Sequence, residues 1–394
     1  MFTPFNFQET IANAWQSLDP VKVVDEVAEA FVGKADSLRD GSEFDPLTLP
    51  RDLYAHRNAQ TEWWYYTGHL KTSGGRRFGF ELCFFKRRTD LDRFGQIPLR
   101  VFGNPIYFAH FAITDIDGRQ FEYSHRKSSN GLLEAPASAS EKHYHLRLGD
   151  WSIRESGDSH VMRASISDDI VFEATVTPQK PVVLNGSKGD GVSFKDEGQA
   201  SRYFSYTRMS LEGDLTFEGR TEHFDGSAWM DREFGTWTPT EKQQGWDWFS
   251  IQLENGTDLM VYQLRDSKNK VSDYSSGVLV GREGSYRNLN RKDFEVRATG
   301  YWKSPNSGAV YPSGWIVEVP GEGLELRVEP LLRDQELDTR GTTMIVYWEG
   351  TCKVSGTQDE NDVKGQAYVE LVGYDRSHDN PNLAYFLMGN ILNS

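Results

Sequence analysis

From about residue 51 the chain reads as short runs of alternating apolar and polar side chains, broken by Gly, Asn and Asp. RFGFELCFFKR (77–87), YFAHFAITDIDG (107–118), HYHLRLGDWSI (143–153), MSLEGDLTFEG (209–219) and FEVRATGYWKS (294–304) are rich in β-branched and aromatic residues. That pattern predicts strands, and helical periodicity is nearly absent, so the body is expected to be an all-β sandwich or barrel. The first fifty residues differ. In SLDPVKVVDEVAEAFVGKAD, Asp19 is a candidate N-cap, Pro20 a first helical residue and Gly33 a stop, with Val24, Ala28 and Phe31 at helical spacing. These features predict a helical arm over 1–50 docked on the body.

An internal repeat organises the body. YFSYTRMSLEG (203–213) resembles VYWEGTCKVSG (346–356), setting Phe204 beside Tyr347 and Gly213 beside Gly356. GSAWMDREF (226–234) resembles GQAYVELVG (365–373), setting Trp229 with Tyr368 and Asp231 with Glu370. Each copy also opens alike, with TEWWYYTGHL before FGFELCFFKR and GWDWFSIQLENG before DLMVYQLRD. Two β domains of related topology are expected, 51–240 and 241–394, joined through the polar, Pro-containing TWTPTEKQQG.

The run TEWWYYTGHL (61–70) sets four aromatic rings behind a glutamate. On a strand, Glu62, Trp64 and Tyr66 share one face, and Trp63 and Tyr65 the other. The expectation is that Trp63 and Tyr65 fill the structural side while Trp64 and Tyr66 line a cavity beside Glu62.

Composition narrows the function. Aromatics make up 13% of the chain, with 11 Trp, 17 Tyr and 23 Phe, which is incompatible with disorder. A formal charge of -15 argues against nucleic acid or an anionic membrane surface as partner. Cys83 and Cys352 are too few for a disulfide scaffold. Neither a secretory signal nor a membrane-length apolar run is visible, and a cytoplasmic location is expected. No HExxH, CxxC, GxSxG or phosphate-loop context occurs, so neither metal nor cofactor is expected.

Asp231, in AWMDREFG, shares a strand face with Trp229. Desolvation beside a ring raises a carboxyl pKa and suits it to donate a proton. The alternative is a structural ion pair with Arg208 or Arg232. Glu62 is the second candidate acid, with an ion pair closing the barrel end as its alternative. Asp247 alternates with Trp246 and Trp248 and points away from both, so it reads as a rim or interdomain hydrogen-bonding group. His110 lies among apolar residues and could enter a cavity, although such histidines are more often satisfied core groups.

TEWWYYTGHL, FGFELCFFKR, AHFAITD, QASRYFSYTR, AWMDREFG, GWDWFSIQL, YWEGTCKVSG and GQAYVELVGY occur in this order. The series resembles the AttH/CrtC-like family, lipocalin-like proteins that include carotenoid 1,2-hydratases. The resemblance covers nearly everything from residue 51. It implies two lipocalin-like antiparallel β-barrel or sandwich domains packed together, with a ligand site in or between them. It also implies protonation of an isoprenoid C=C bond by an aspartate ahead of a WDW segment. That aspartate maps onto Asp231 ahead of Trp246-Asp247-Trp248. The hydratases carry a His-x-Trp pair where this chain has Arg202-Tyr203-Phe204, which weakens carotenoid hydration itself but not a proton-initiated reaction.

The functional expectation is an acid-catalysed hydratase or cyclase acting on an apolar isoprenoid-like or polyene substrate. Asp231 and Glu62 are the expected acids. Trp64, Tyr66, His110, Tyr203, Tyr206, Trp229, Trp246 and Trp248 are the expected substrate-binding side chains. A cofactor-free pericyclase and a non-catalytic carrier are the alternatives.

Overall fold

The computed structural model describes residues 46–375, apart from 90–92, 95–96, 99–102, 132–133, 237–242, 267 and 344. The expected N-terminal helix, and most of the expected linker, lie outside the described residues. The main strands of a first sheet are β1 (Thr61–Thr72), β2 (Arg77–Arg87), β3 (Ile106–Asp115), β4 (Gln120–Ser128), β5 (Ser159–Ser167), β6 (Ile170–Pro178), β7 (Gln199–Phe217) and β8 (Arg220–Gly235). A second sheet follows with β9 (Gly245–Leu253), β10 (Asp258–Arg265), β11 (Ser276–Val280), β12 (Tyr286–Asn290), β13 (Trp315–Val319), β14 (Leu324–Pro330), β15 (Val346–Gln358) and β16 (Asn361–Val372).

The first sheet runs β4-β3-β2-β1-β8-β7-β6-β5 and continues into short strands at Trp151–Ser156, His145–Leu148 and Ala137–Ala139. It curls far enough for β4 to approach β5, making a barrel-like body. The second runs β12-β11-β10-β9-β16-β15-β14-β13 and forms a half-barrel. Each strand of the second sheet stands where its counterpart stands in the first, β9 for β1 through β16 for β8. The repeat read in the sequence is therefore a repeat of topology.

Register refines the alignment. Asp231 lies opposite Tyr65 and Ser205, and Glu370 lies opposite Trp248 and Glu349. Tyr203 thereby matches Tyr347, which corrects the pairing of Phe204 with Tyr347. The cause is a bulge in β7 between Tyr206 and Met209, whose extra residue shifts an ungapped reading by one. Beyond the bulge Gly213 and Gly356 do coincide. A Cβ on either would fall 2.0 Å from a carbonyl oxygen of the neighbouring strand, of Glu173 or of Glu325, so both copies need glycine there.

Alternation assigns the faces. Trp64, Tyr66, Phe80, Leu82, Phe84, Phe111 and Phe172 fill the first barrel, and Phe249, Ile251, Val261, Trp315, Val317 and Trp348 fill the concave side of the second sheet. On the central strands β1, β2, β8, β9, β10 and β16 the opposite faces are largely buried as well. They press together into a seam carrying Tyr65, Cys83, Tyr203, Trp229, Trp248, Tyr262 and Tyr368. Gly79 marks a close approach: a Cβ there would lie 2.6 Å from the Thr351 Cβ. Polar ties cross the seam, including Thr114 Oγ1 to Gln335 Oε1 at 2.8 Å and Gln252 Nε2 to the Ala228 carbonyl at 3.0 Å.

This overturns the expected roles of the two faces of β1. Trp64 and Tyr66 are barrel core. The Trp64 indole donates to the Leu53 carbonyl at 2.7 Å, and the Tyr66 hydroxyl bonds Tyr144 and His160. Trp63 and Tyr65 face the seam instead. Trp64→Ala should cost about 3–5 kcal/mol, the usual range for an aromatic core truncation. Trp63→Ala should cost well under half of that, because Trp63 is half-buried. Denaturant midpoints at unchanged slope measure both, and equal losses would contradict the packing described.

Candidate functional site

At one end of the seam the two sheets part around a cavity. Trp63, Tyr65, Cys83, Phe85, Tyr203, Asp231 and Glu233 form the wall from the first sheet, with Lys195 from the strand Val192–Asp196. Trp246, Trp248, Tyr262, Leu264 and Glu370 form the wall from the second, with Gln243. The cavity leaves about 90 Å³ for the centres of water-sized molecules, enough for several waters or a slender apolar chain. Trp63, Phe85, Trp246 and Glu370 are only half-buried within an otherwise buried seam, because they border this space. The pocket inherits the repeat: Trp63 and Trp246, Tyr65 and Trp248, and Asp231 and Glu370 are equivalent positions. Tyr65 and Trp248 meet edge to face, with ring centroids 5.2 Å apart.

Asp231 is 3% exposed. Its Oδ1 accepts from Ser205 Oγ at 2.5 Å and Trp229 Nε1 at 2.7 Å, and its Oδ2 from the Tyr203 hydroxyl at 2.5 Å. Tyr203 in turn accepts from Trp248 Nε1 at 3.1 Å. Burial pushes the Asp231 carboxyl up to about 6, with the three donors pulling the other way. The alternative of a structural ion pair is not realised: Arg208 binds Asp258 at 2.6 Å, and Arg232 binds Glu62 at 2.5 Å. Glu370 accepts from Trp246 Nε1 at 2.8 Å, and burial pushes its carboxyl up to about 8. Beside them, Glu233 is neutralised by Lys195 at 2.6 Å.

The other expected site residues lie elsewhere. Glu62, the second candidate acid, takes the structural role. Burial alone would raise its carboxyl, but Lys86 and Arg232, with His56, hold it well below the usual range. It sits among Arg232, Lys86 at 2.8 Å and the His56 backbone and ring, on the barrel side of β1, so it is not a pocket acid. Trp64, Tyr66 and Tyr206 belong to the barrel side. His110 is buried in the seam against the Tyr347 hydroxyl at 2.6 Å and does not line the pocket. Trp229 stands behind the wall and donates to Asp231. Tyr203, Trp246 and Trp248 do line the pocket. Asp247 pairs with Arg265 at 3.1 Å and with Tyr374. Sequence reasoning missed Glu370, Glu233, Lys195 and Tyr65 as pocket groups. For Glu370 the signal existed, since the repeat already aligned it with Asp231.

The architecture defines the class: a duplicated antiparallel fold whose two curled sheets bury an acid-bearing aromatic pocket between them. The profile of the AttH-like family matches residues 41–374, and the chain belongs to that family. Among solved structures, an AttH protein of Nitrosomonas europaea is 28% identical, with a TM-score of 0.72 over 84% of this chain and 98% of its own. Kievitone hydratase of Nectria haematococca is 15% identical, with a TM-score of 0.64 over 86% of this chain and 97% of its own, a likeness of fold. No curated protein sequence matches the chain. Among the described residues, no helix is long and apolar enough to cross a membrane, and no group of three or more His, Cys, Asp or Glu is disposed to hold a metal ion.

The Glu62 cluster yields a stability prediction. A carboxyl whose folded pKa is depressed contributes stability that is complete above its ordinary value, 4.5, and is lost as pH falls below it. Glu62→Gln leaves Arg232 buried without its counter-charge and should cost about 3–5 kcal/mol at neutral pH. The deficit should shrink as the buffer is acidified below the ordinary value. Denaturant titrations of both proteins across that range check it. A deficit that does not change with pH would show that ionisation of Glu62 is not its source.

Proposed function

We propose that the seam pocket catalyses proton-initiated addition to a C=C bond of an apolar substrate, giving hydration or ring closure, with Asp231 exchanging the reaction's proton. The observation that carries this is Asp231 itself. It is buried in an aromatic pocket with no ion-pair partner among the described residues, and its pKa is pushed towards neutrality. A carboxyl in that state exchanges protons where substrate binds. Tyr65, Tyr203, Trp246 and Trp248 surround the space with ring faces and edges, and an aromatic face stabilises a developing carbocation. The substrate section that enters is slender and apolar, as an isoprenoid or polyene chain is. The shared fold of kievitone hydratase is in keeping with the hydration branch. A carrier would be served by apolar lining alone, whereas burying two carboxyls without cations costs stability and serves no purpose in simple retention.

Asp231→Asn keeps the shape and the hydrogen-bonding capacity but removes the exchangeable acid. Turnover of an isoprenoid alkene should fall by about 10²–10⁴-fold with the folded state retained. Deuterium incorporation from D2O into product, followed by mass spectrometry, reads the proton step directly. Wild-type turnover in the Asn variant would remove Asp231 from the chemistry. Product formation without deuterium at carbon would point to a pericyclic reaction instead.

A further inference from the structure

The two carboxyls of the pocket occupy equivalent strands of the repeated fold, yet their surroundings differ. Asp231 faces Ser205 across the ladder and receives three donors, which occupy both of its oxygens. Three donors directed at one carboxyl match its ionised form, which only accepts. Glu370 faces Glu349 across the ladder and receives one donor, Trp246 Nε1 on its Oε2. Glu370 lines the pocket, and its Oε1 receives no hydrogen bond from the described residues.

We propose that Glu370 is the group that delivers the proton to the substrate, and that Asp231 is the carboxylate that takes a proton back. This assignment rests on the reading of the pocket as a site of proton-initiated addition, and it reverses the donor role expected of Asp231 from sequence. In hydration the Glu370 O–H bond breaks and a C–H bond forms at one alkene carbon, using the π pair. The cation left on the other carbon is attacked by a pocket water. One O–H bond of that water breaks and its proton passes to Asp231. The product has gained H and OH. Asp231 is left protonated and Glu370 ionised, and return of the proton between them through pocket water closes the cycle. In ring closure Asp231 instead receives the proton lost from carbon.

The groups around Glu370 agree with this division. Glu81, Tyr65 and Cys83 approach from β2 and β1, Asp231 and Glu233 from β8, and Glu349 and Tyr347 from β15. Glu233 is neutralised by Lys195. Among the described residues, charge added at Glu370 would meet these acids and phenols and no unpaired cation. Burial carries Glu370 to about 8 and Asp231 to about 6, so the pair holds one proton between those values. Activity then needs Asp231 ionised, which fails as pH falls through about 6, and Glu370 protonated, which fails as pH rises through about 8.

The test uses the full chain, with geraniol and a prenylated phenol as alkene probes and deuterium incorporation as the readout. Wild type should give a bell-shaped pH profile. Glu370→Gln should lose about 10²-fold or more in turnover. Glu370→Asp should keep part of the activity together with an alkaline limb. Asp231→Asn should remove the acid limb. Infrared titration of the protonated carboxyl band, which needs no substrate, should show a band lost near pH 8 in wild type and in Asp231→Asn but missing in Glu370→Gln. Near-ultraviolet circular dichroism confirms that each variant is folded. If Glu370→Gln keeps wild-type turnover and its alkaline limb while Asp231→Asn is inactive, the proposed function stands and the Glu370 assignment falls. A carboxyl band that is still lost near pH 8 in Glu370→Gln also sinks the assignment. If wild type turns over neither probe, or if both variants retain full turnover, the proposed function falls and takes the assignment with it.

Discussion

The outer faces of the two curled sheets press on each other, and that contact decides the state of every polar group between them. A carboxyl taken out of water must find a cation or keep its proton. Asp258 takes the first course: Lys180 and Arg208 each reach it at 2.6 Å, and Thr207 adds a hydrogen bond at 3.0 Å. Glu233 takes the same course with Lys195. Glu370 takes the second, and Asp231 stands between the two, held by three hydrogen-bond donors; among the described residues no arginine or lysine pairs with either. The seam thereby sorts its acids into structural pairs and groups that can exchange a proton, and the pocket opens where the second kind collect.

Duplication explains why two such acids meet. Each copy of the fold carries an acid at the same place on the same strand, and packing the copies by their outer faces turns both acids toward one space. The aromatic walls arise the same way, with Trp63 and Tyr65 from one copy set against Trp246 and Trp248 from the other. What differs is the cross-strand partner, Ser205 in one copy and Glu349 in the other. The Ser205 hydroxyl donates to Asp231, as Tyr203 and Trp229 do, whereas Glu349 gives Glu370 no hydrogen bond. Divergence at that ladder position is one of the differences that separate the acidities of the two equivalent acids.

Much of this arrangement was legible in the sequence, and the losses have physical causes. Strand alternation, turn residues and the repeat gave the two β sheets, and the carboxyl-plus-tryptophan pattern singled out Asp231. Alternation also grouped Trp63 with Tyr65 and Trp64 with Tyr66. It could not say which group would face a cavity, because period two separates faces without orienting them. Both faces of β1 are buried, one by the barrel core and one by the second sheet, so hydrophobicity carried no preference. Glu62 misled for a related reason. Lys86 and Arg232 reach it only through strand pairing, from positions remote in sequence. Glu370 was visible through its alignment with Asp231 in the repeat, but alternation alone did not turn both acids toward one space.

The acids deeper in the seam bear on the pocket without lining it. Glu81 has no hydrogen bond on either oxygen, and Glu349 has one, from the Tyr65 hydroxyl at 2.8 Å. Burial pushes both carboxyls well above the ordinary range, so both stay protonated. Each lies close enough to Glu370 for their charges to interact, and ionising any one of the three raises the cost of ionising the others. Tyr65 joins this layer to the pocket, since its ring lines the wall while its hydroxyl is committed to Glu349. The layer thus sets two further protonated acids behind Glu370. Nothing comparable lies beneath Asp231, where Ser205, Tyr203 and Trp229 all donate. The difference between the two pocket acids is therefore built into the sheets behind them, and it is present before any substrate enters.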